Sequence, residues 1–173
     1  GSFVWSGDSS EDTRSFGDNT FTVRAEGGVR FYTANGTGIG AFLGPGGSWQ
    51  VASDSNLKTK VTAVDPRVIL SKVAAMPVME WEYKALPNRR YIGPMAQDFH
   101  AIFGLGYDDK SISTLDSDGV MYAAIQGLVE ELRDRDKEIA ELKTKSAEVD
   151  DMKAKLESVE ERLNSLLPPA ATP

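Results

Sequence analysis

From Leu128 onward apolar residues return every seven positions. Leu128, Leu142, Val149, Leu156 and Leu163 hold one place in the repeat, and Ile125, Leu132 and Ile139 hold the alternating place. That spacing predicts a long helix with a narrow apolar seam. Arg135 interrupts the first row, and Ser146, Lys153 and Glu160 weaken the second. Met152, Val159 and Leu166 move the stripe sideways beyond Val149, as a three-residue discontinuity or a broadened seam does. No glycine or proline occurs between Leu128 and Leu167, and Pro168-Pro169 end the run. The tail to Pro173 is expected to be disordered. A helix of roughly 40 residues with so thin a seam has too little apolar surface beside it in one chain to bury it. The seam calls for partner helices.

Toward the N-terminus the period changes to two. Phe21-Thr22-Val23-Arg24-Ala25 and Val29-Arg30-Phe31-Tyr32-Thr33 alternate on either side of Glu26-Gly27-Gly28, which predicts a β-hairpin within residues 16–33. Asn35 to Gly47 is punctuated by glycine, with Ile39, Ala41 and Phe42-Leu43 between. Two architectures fit such a stretch: an ordinary small antiparallel sheet, or a β-stalk in which three chains wind closely because glycine lets their backbones approach. Trp49 and Val51 alternate with Gln50 and Ala52 as a last strand, with Trp49 expected as a core anchor.

The middle of the chain mixes both periods. Asp65 as N-cap and Pro66 at the first helical position open a helix carrying Val68, Ile69, Val73 and Met76, and Pro77 closes it. Met79, Trp81 and Tyr83 then share one strand face, with Glu80 and Glu82 on the solvated other. Leu86-Pro87-Asn88-Arg89-Arg90 reads as a turn. A short helix follows from Pro94, with Met95, Phe99, Ile102 and Phe103 on one face, ended by Gly104 and Gly106. The single histidine, His100, lies beside that face without a second ligand or triad partner and reads as partly exposed structure. Ile112, Thr114 and Asp116 read as a short strand, and Ser117-Asp118-Gly119 as the cap of the final helix.

Chemistry concentrates at the junction between these halves, in Ser53-Asp54-Ser55-Asn56-Leu57-Lys58. A serine followed five residues later by a lysine is what a Ser–Lys dyad needs. A lysine acts as general base only when neutral, so a pKa near 10.4 must fall to roughly 7–8, through desolvation or a neighbouring cation. Val51, Val61 and Val64 are candidates for that apolar cover. The spacing by itself arises readily by chance and fits a polar turn with a solvated lysine better than a dyad. No metal or cofactor is implied.

Composition narrows the field further. Eleven of the 16 glycines fall in the first 52 residues, while the C-terminal part is dense in charge, so a single globule is not expected. A formal net charge of −7 and a pI near 4.8 disfavour nucleic acid and anionic membranes as partners. With no cysteine there is no disulfide framework and no thiolate metal site, and no apolar run reaches membrane-spanning length. Gly1-Ser2 reads as a cloning remnant, and the chain as the tail end of a longer protein.

Three stretches occur in one order: Ser53-Asp54 with Leu57-Lys58, then Tyr91-Ile92-Gly93-Pro94-Met95-Ala96-Gln97-Asp98-Phe99, then Ala123-Ala124-Ile125-Gln126-Gly127-Leu128 leading into the long helix. That succession resembles the peptidase S74 family, the C-terminal intramolecular chaperones of phage tail spikes, endosialidases and related surface fibres. The resemblance covers about residues 50–130.

The resemblance tilts the β-rich region toward a trimeric stalk and implies a homotrimer. Its fold class would be α+β, with a β-rich N-terminal stalk and a parallel three-stranded coiled coil. The expected divisions are stalk end 1–52, chaperone core 53–122, coiled-coil helix 123–167 and tail 168–173. The implied function is to trimerise and register an upstream β-fibre, then to self-cleave once and be released. Ser53 would be the nucleophile and Lys58 the base, with Asp54, Asn56 and Gln97 in support. Attack on the Ala52 carbonyl passes through a five-membered ring and attack on Ser53's own carbonyl through a four-membered one, so Ala52–Ser53 is the favoured bond and Ser53–Asp54 the alternative. The setting would be a phage virion tail, a bacterial surface or a secreted fibre, with the chaperone part released in the host cytoplasm. Two other classes stay open: a non-cleaving trimerisation cap, and an adhesin tip that binds carbohydrate through Trp5, Trp49 or Tyr32.

Overall fold

The computed structural model describes residues 1–8, 11–34 and 39–166. Residues 35–38 of the glycine-punctuated stretch, the side chain of Leu166, Leu167 and the tail 168–173 lie outside the described residues. The chain is α+β, with small sheets and a long C-terminal helix, and it divides into two compact units, Gly1–Thr62 and Ala63–Pro173.

In the first unit, β1 (Phe3–Ser6) and β2 (Phe21–Arg24) form a parallel pair in which Phe3 faces Phe21 and their rings stack at 5.0 Å. Such a pair needs a connection of about a dozen residues, which the chain between Ser6 and Phe21 supplies. The strands β3 (Val29–Tyr32), β4 (Gly40–Leu43) and β5 (Trp49–Val51) form a separate antiparallel meander. The expected hairpin of β2 with β3 is therefore corrected. Both strands exist, and the turn closes with the Gly28 N–H donating to the Ala25 carbonyl at 2.9 Å, but β3 pairs with β4, not β2. The observed pairing needs glycine at two positions. At Gly28 (φ +86°) an added Cβ would meet the Leu43 carbonyl and lie 2.9 Å from Phe42 Cζ; at Gly40 it would overlap the Phe31 carbonyl. Alternation marks a strand but is silent on which neighbour it joins.

Trp49 is also corrected as a core anchor. It is 59% exposed and tilts against Phe31 with ring centres 6.0 Å apart.

In the second unit, α1 (Pro66–Ala75) begins as expected, with the Asp65 carboxylate accepting from the Arg67 N–H at 2.9 Å and the Val68 N–H at 3.3 Å. Ile69, Val73 and Met76 are half-buried, but Val68 faces solvent and Leu70 turns inward in its place. The hairpin of β6 (Met79–Tyr83) and β7 (Leu86–Gly93) corrects the expected turn at 86–90: the reversal falls at Lys84-Ala85, and Asn88 adopts φ +68° within the second strand. The register shift at Glu82/Tyr83 absorbs the extra residues, and the Asn88 N–H reaches the Glu82 carboxylate at 2.9 Å. Trp81 stacks on Tyr91 at 4.8 Å and meets Tyr83 edge-on at the same separation.

The helix α2 (Ala96–Phe103) ends on Gly104 at φ +66°, with Phe99 only 2% exposed.

The last helix, α3 (Thr114–Leu166), is 53 residues long and so about 80 Å. It corrects the expected strand at Thr114–Asp116 and the expected cap at Ser117–Gly119, both of which lie inside it. Two interior glycines, Gly119 and Gly127, cost about 1 kcal/mol each against alanine. Packing of α3 on α1, which buries Val120, Ala123 and Ala124, offsets that cost. With Phe99, these three are the only buried apolar residues among those described. Beyond that short contact the helix is bare: Leu132, Leu142, Leu156 and Leu163 are 52%, 56%, 59% and 58% exposed.

Candidate functional site

The Ser53 turn is built at the end of the meander. Strand β5 is registered on β4, with Val51 opposite Ala41 and Gln50 opposite Phe42. After Ala52 and Ser53 the chain folds into a single 3-10 turn, Ser55–Leu57. The Leu57 N–H donates to the Asp54 carbonyl and the Lys58 N–H to the Ser55 carbonyl, both at 3.1 Å. Asp54 caps the turn, its Oδ1 accepting from the Asn56 N–H and from Asn56 Nδ2, each at 2.9 Å. The reversal returns the Lys58 side chain to Ser53, and Nζ donates to Oγ at 2.7 Å. Ser53, Asp54, Asn56 and Lys58 are thus one local cluster.

That contact is within reach for proton transfer between a nucleophile and its base. In this contact Lys58 Nζ stands as the donor and Ser53 Oγ as the acceptor. Every residue from Val51 to Lys60 is exposed. The expected apolar cover is corrected here: Val51, Val61 and Val64 are 46%, 76% and 59% exposed. A hollow beside Ala52 is lined by Tyr32, Gly40, Ala41, Gln50 and Val51.

The remaining expected residues fall elsewhere. Gln97 lies exposed on α2 in the second unit, by a groove it shares with Trp81, Tyr83, Met95 and Ser111. His100 is half-buried, with Nδ1 at 2.8 Å from the Leu105 carbonyl oxygen. Glu80 pairs with Arg90 at 3.0 Å and Glu82 holds Asn88, so both carboxylates serve the hairpin. Trp5, Trp49 and Tyr32 are 48%, 59% and 65% exposed, each on a strand of the first unit. Among the described residues no cluster of three or more His, Cys, Asp or Glu side chains is placed to hold a metal ion. None of their helices is long and apolar enough to cross a membrane.

Two contacts between α1 and α3 escaped sequence reasoning. Arg67 reaches Glu130 at 3.0 Å and also pairs with Asp134, two acids one turn apart on α3. The Arg67 guanidinium, then Lys137, holds the Asp134 carboxyl below the usual carboxylate range; Asp134, then Glu130, raises Arg67 further above its ordinary value. Gly127 is the second contact, lying directly against Pro66. An acidic pair at i, i+4 is visible in sequence, but nothing in sequence names a partner more than sixty positions away.

Residues 53–104 match the peptidase S74 family model, described as chaperone of endosialidase. The match begins at Ser53 and runs through the α1, hairpin and α2 segments, so the resemblance is borne out over that span. It supports a chaperone role. No curated protein and no solved structure matches the chain.

Proposed function

We propose that the chain is an intramolecular chaperone that gathers three copies through α3, registers the β-rich segment upstream of Ser53, and then cuts itself once beside Ser53. The observation that carries this reading is the 2.7 Å contact between Lys58 and Ser53 at the first residues of the family match. The exposed seam supports the association step: a row of half-exposed leucines from Leu128 to Leu163, along about 50 Å of helix, is stable in water when other copies cover it.

The sequence of events follows from folding physics. Intertwined β-structure forms through slow, non-local contacts, whereas helices assemble quickly and locally. A helical clamp that first brings three chains together removes much of the entropy that strand pairing between chains must otherwise overcome. The outer edges of the two sheets, on β1 and β2 and on β3 and β5, are where such pairing would occur.

For the cut, the neutral Lys58 amine takes the Ser53 hydroxyl proton as Oγ attacks the Ala52 carbonyl carbon. The five-membered intermediate collapses by breaking the Ala52–Ser53 C–N bond, and the Ser53 amine leaves with a proton. The resulting ester takes up one water, giving an Ala52 carboxylate and a free Ser53 hydroxyl. Neighbouring copies would supply the cover that the lone turn lacks. The proposed setting is a fibre of a phage tail or bacterial surface.

The exposure of Ser53 and Lys58 favours one second reading, a trimerisation cap that never cleaves. The chaperone step is tested by expressing residues 1–52 alone. That segment is expected to fold poorly by itself, yet to persist once formed beside the C-terminal part. A 1–52 peptide that folds spontaneously into a stable trimer contradicts the chaperone reading.

A further inference from the structure

We propose that Asp54 is the positioning residue of the Ser53–Lys58 pair: its carboxylate, by capping the 3-10 turn, folds Lys58 back onto the serine. This rests on the dyad reading and adds what holds the dyad together.

The argument is one of geometry in an exposed loop. Residues 53–58 are all exposed, so burial contributes little to fixing the turn. What fixes it is hydrogen bonding. Two backbone bonds close the turn, from the N–H groups of Leu57 and Lys58. The Asn56 N–H lies at its open start and would be left to water. Asp54 Oδ1 accepts from that N–H and from the Asn56 side-chain amide, tying three consecutive residues into one unit. Asn56 thereby serves the same end from the donor side.

The arrangement has a second consequence. Asp54 forms no ion pair with Lys58; the lysine's hydrogen bond goes to Ser53 instead. A carboxylate paired with a lysine favours the charged ammonium, which is useless as a base. By directing Oδ1 at Asn56, the chain uses an acidic residue beside the dyad without spending the lysine on it. Asparagine caps such turns as well as aspartate does, whereas alanine does not. The role proposed is thus one of acceptor geometry and not of charge.

The test exploits the absence of cysteine from the natural chain, since Ser53→Cys places a single thiol opposite Lys58. A nearby ammonium favours the thiolate, so alkylation of the intact chain by iodoacetamide near pH 7 reads the Lys58 contact directly. Ser53→Cys is expected to react about tenfold faster than Ser53→Cys with Lys58→Met, the effect of roughly one pKa unit. Adding Asp54→Ala should lower the rate to the Lys58→Met level, and adding Asp54→Asn should restore it. In the Ser53 chain, cleavage should fall about tenfold in Asp54→Ala and return to within about threefold of the parent in Asp54→Asn.

Alkylation that is equally fast with and without the Asp54→Ala change overturns the proposal. So does an Asp54→Asn variant as slow as Asp54→Ala, which would make charge the operative property. If Lys58→Met leaves alkylation unchanged, the contact itself is absent and the proposal falls with it. If the alkylation pattern holds while the natural chain never cleaves, Asp54 positions the pair and the protease reading alone fails.

Discussion

Gly127 of α3 lies so close to Pro66 of α1 that an added Cβ would overlap the Pro66 carbonyl oxygen and sit 2.8 Å from its carbon. Leu70 Cβ would be 3.0 Å away on the same side. The crossing therefore depends on a bare α-carbon in the middle of a long helix. Gly127→Ala gains about 1 kcal/mol of helix propensity but forces apart backbone that has no rotamer to change. Overpacking of that kind costs about 1–3 kcal/mol, so net destabilisation of the second unit is expected. Thermal unfolding checks it, and a higher melting temperature for Gly127→Ala would show that the crossing is looser than described.

The Arg67–Asp134 pair at the same crossing carries a pH signature. Asp134 is held below its ordinary value by the hydrogen bond from Arg67 and, next, by Lys137. A carboxyl depressed on folding contributes stability that is fully present above its unfolded pKa, about 3.9, and lost as pH falls through the folded value. Both partners are exposed, so the effect is small. The urea midpoint of Asp134→Asn should fall below the parent's at pH 6 and converge with it below about pH 4. A difference that persists unchanged into strong acid contradicts this assignment.

The seam predicts assembly. Light scattering at micromolar concentration should give three times the 18.8 kDa chain mass. Leu142→Asp with Leu156→Asp would bring six carboxylates into a trimer interface and should dissociate it or leave the β-rich segment misassembled. A parent chain that stays at 18.8 kDa removes the basis for the association step.

Much of this was legible in the chain because local chemistry decided it. Asp65-Pro66 opens α1, Gly104 closes α2, and the period of seven marks α3, each through contacts within a few residues. The turn at Ser53–Lys58 was visible for the same reason, its bonds spanning no more than five positions. Pairing between distant segments was not legible. Strand β3 pairs with β4 and not β2, with close approaches at Gly28 and Gly40 that no alternation reveals. The start of α3 moved from Gly119 back to Thr114 because α1 buries Val120, Ala123 and Ala124, a tertiary gain that overrides two glycines. Arg67 found Glu130 and Asp134 through the same crossing.

The central claim is that Ser53 and Lys58 cut the chain once it has assembled, and the mass of the denatured protein tests it most directly. Assembled protein incubated between about pH 6 and 9 should convert to two fragments, residues 1–52 and 53–173, faster at higher pH because only the neutral amine accepts the proton. Ser53→Ala should remain intact and still assemble. Lys58→Arg should also remain intact, since a guanidinium keeps its proton. Only the intact 18.8 kDa mass from the natural chain across that whole range would contradict the protease role and leave the chaperone reading to stand by itself.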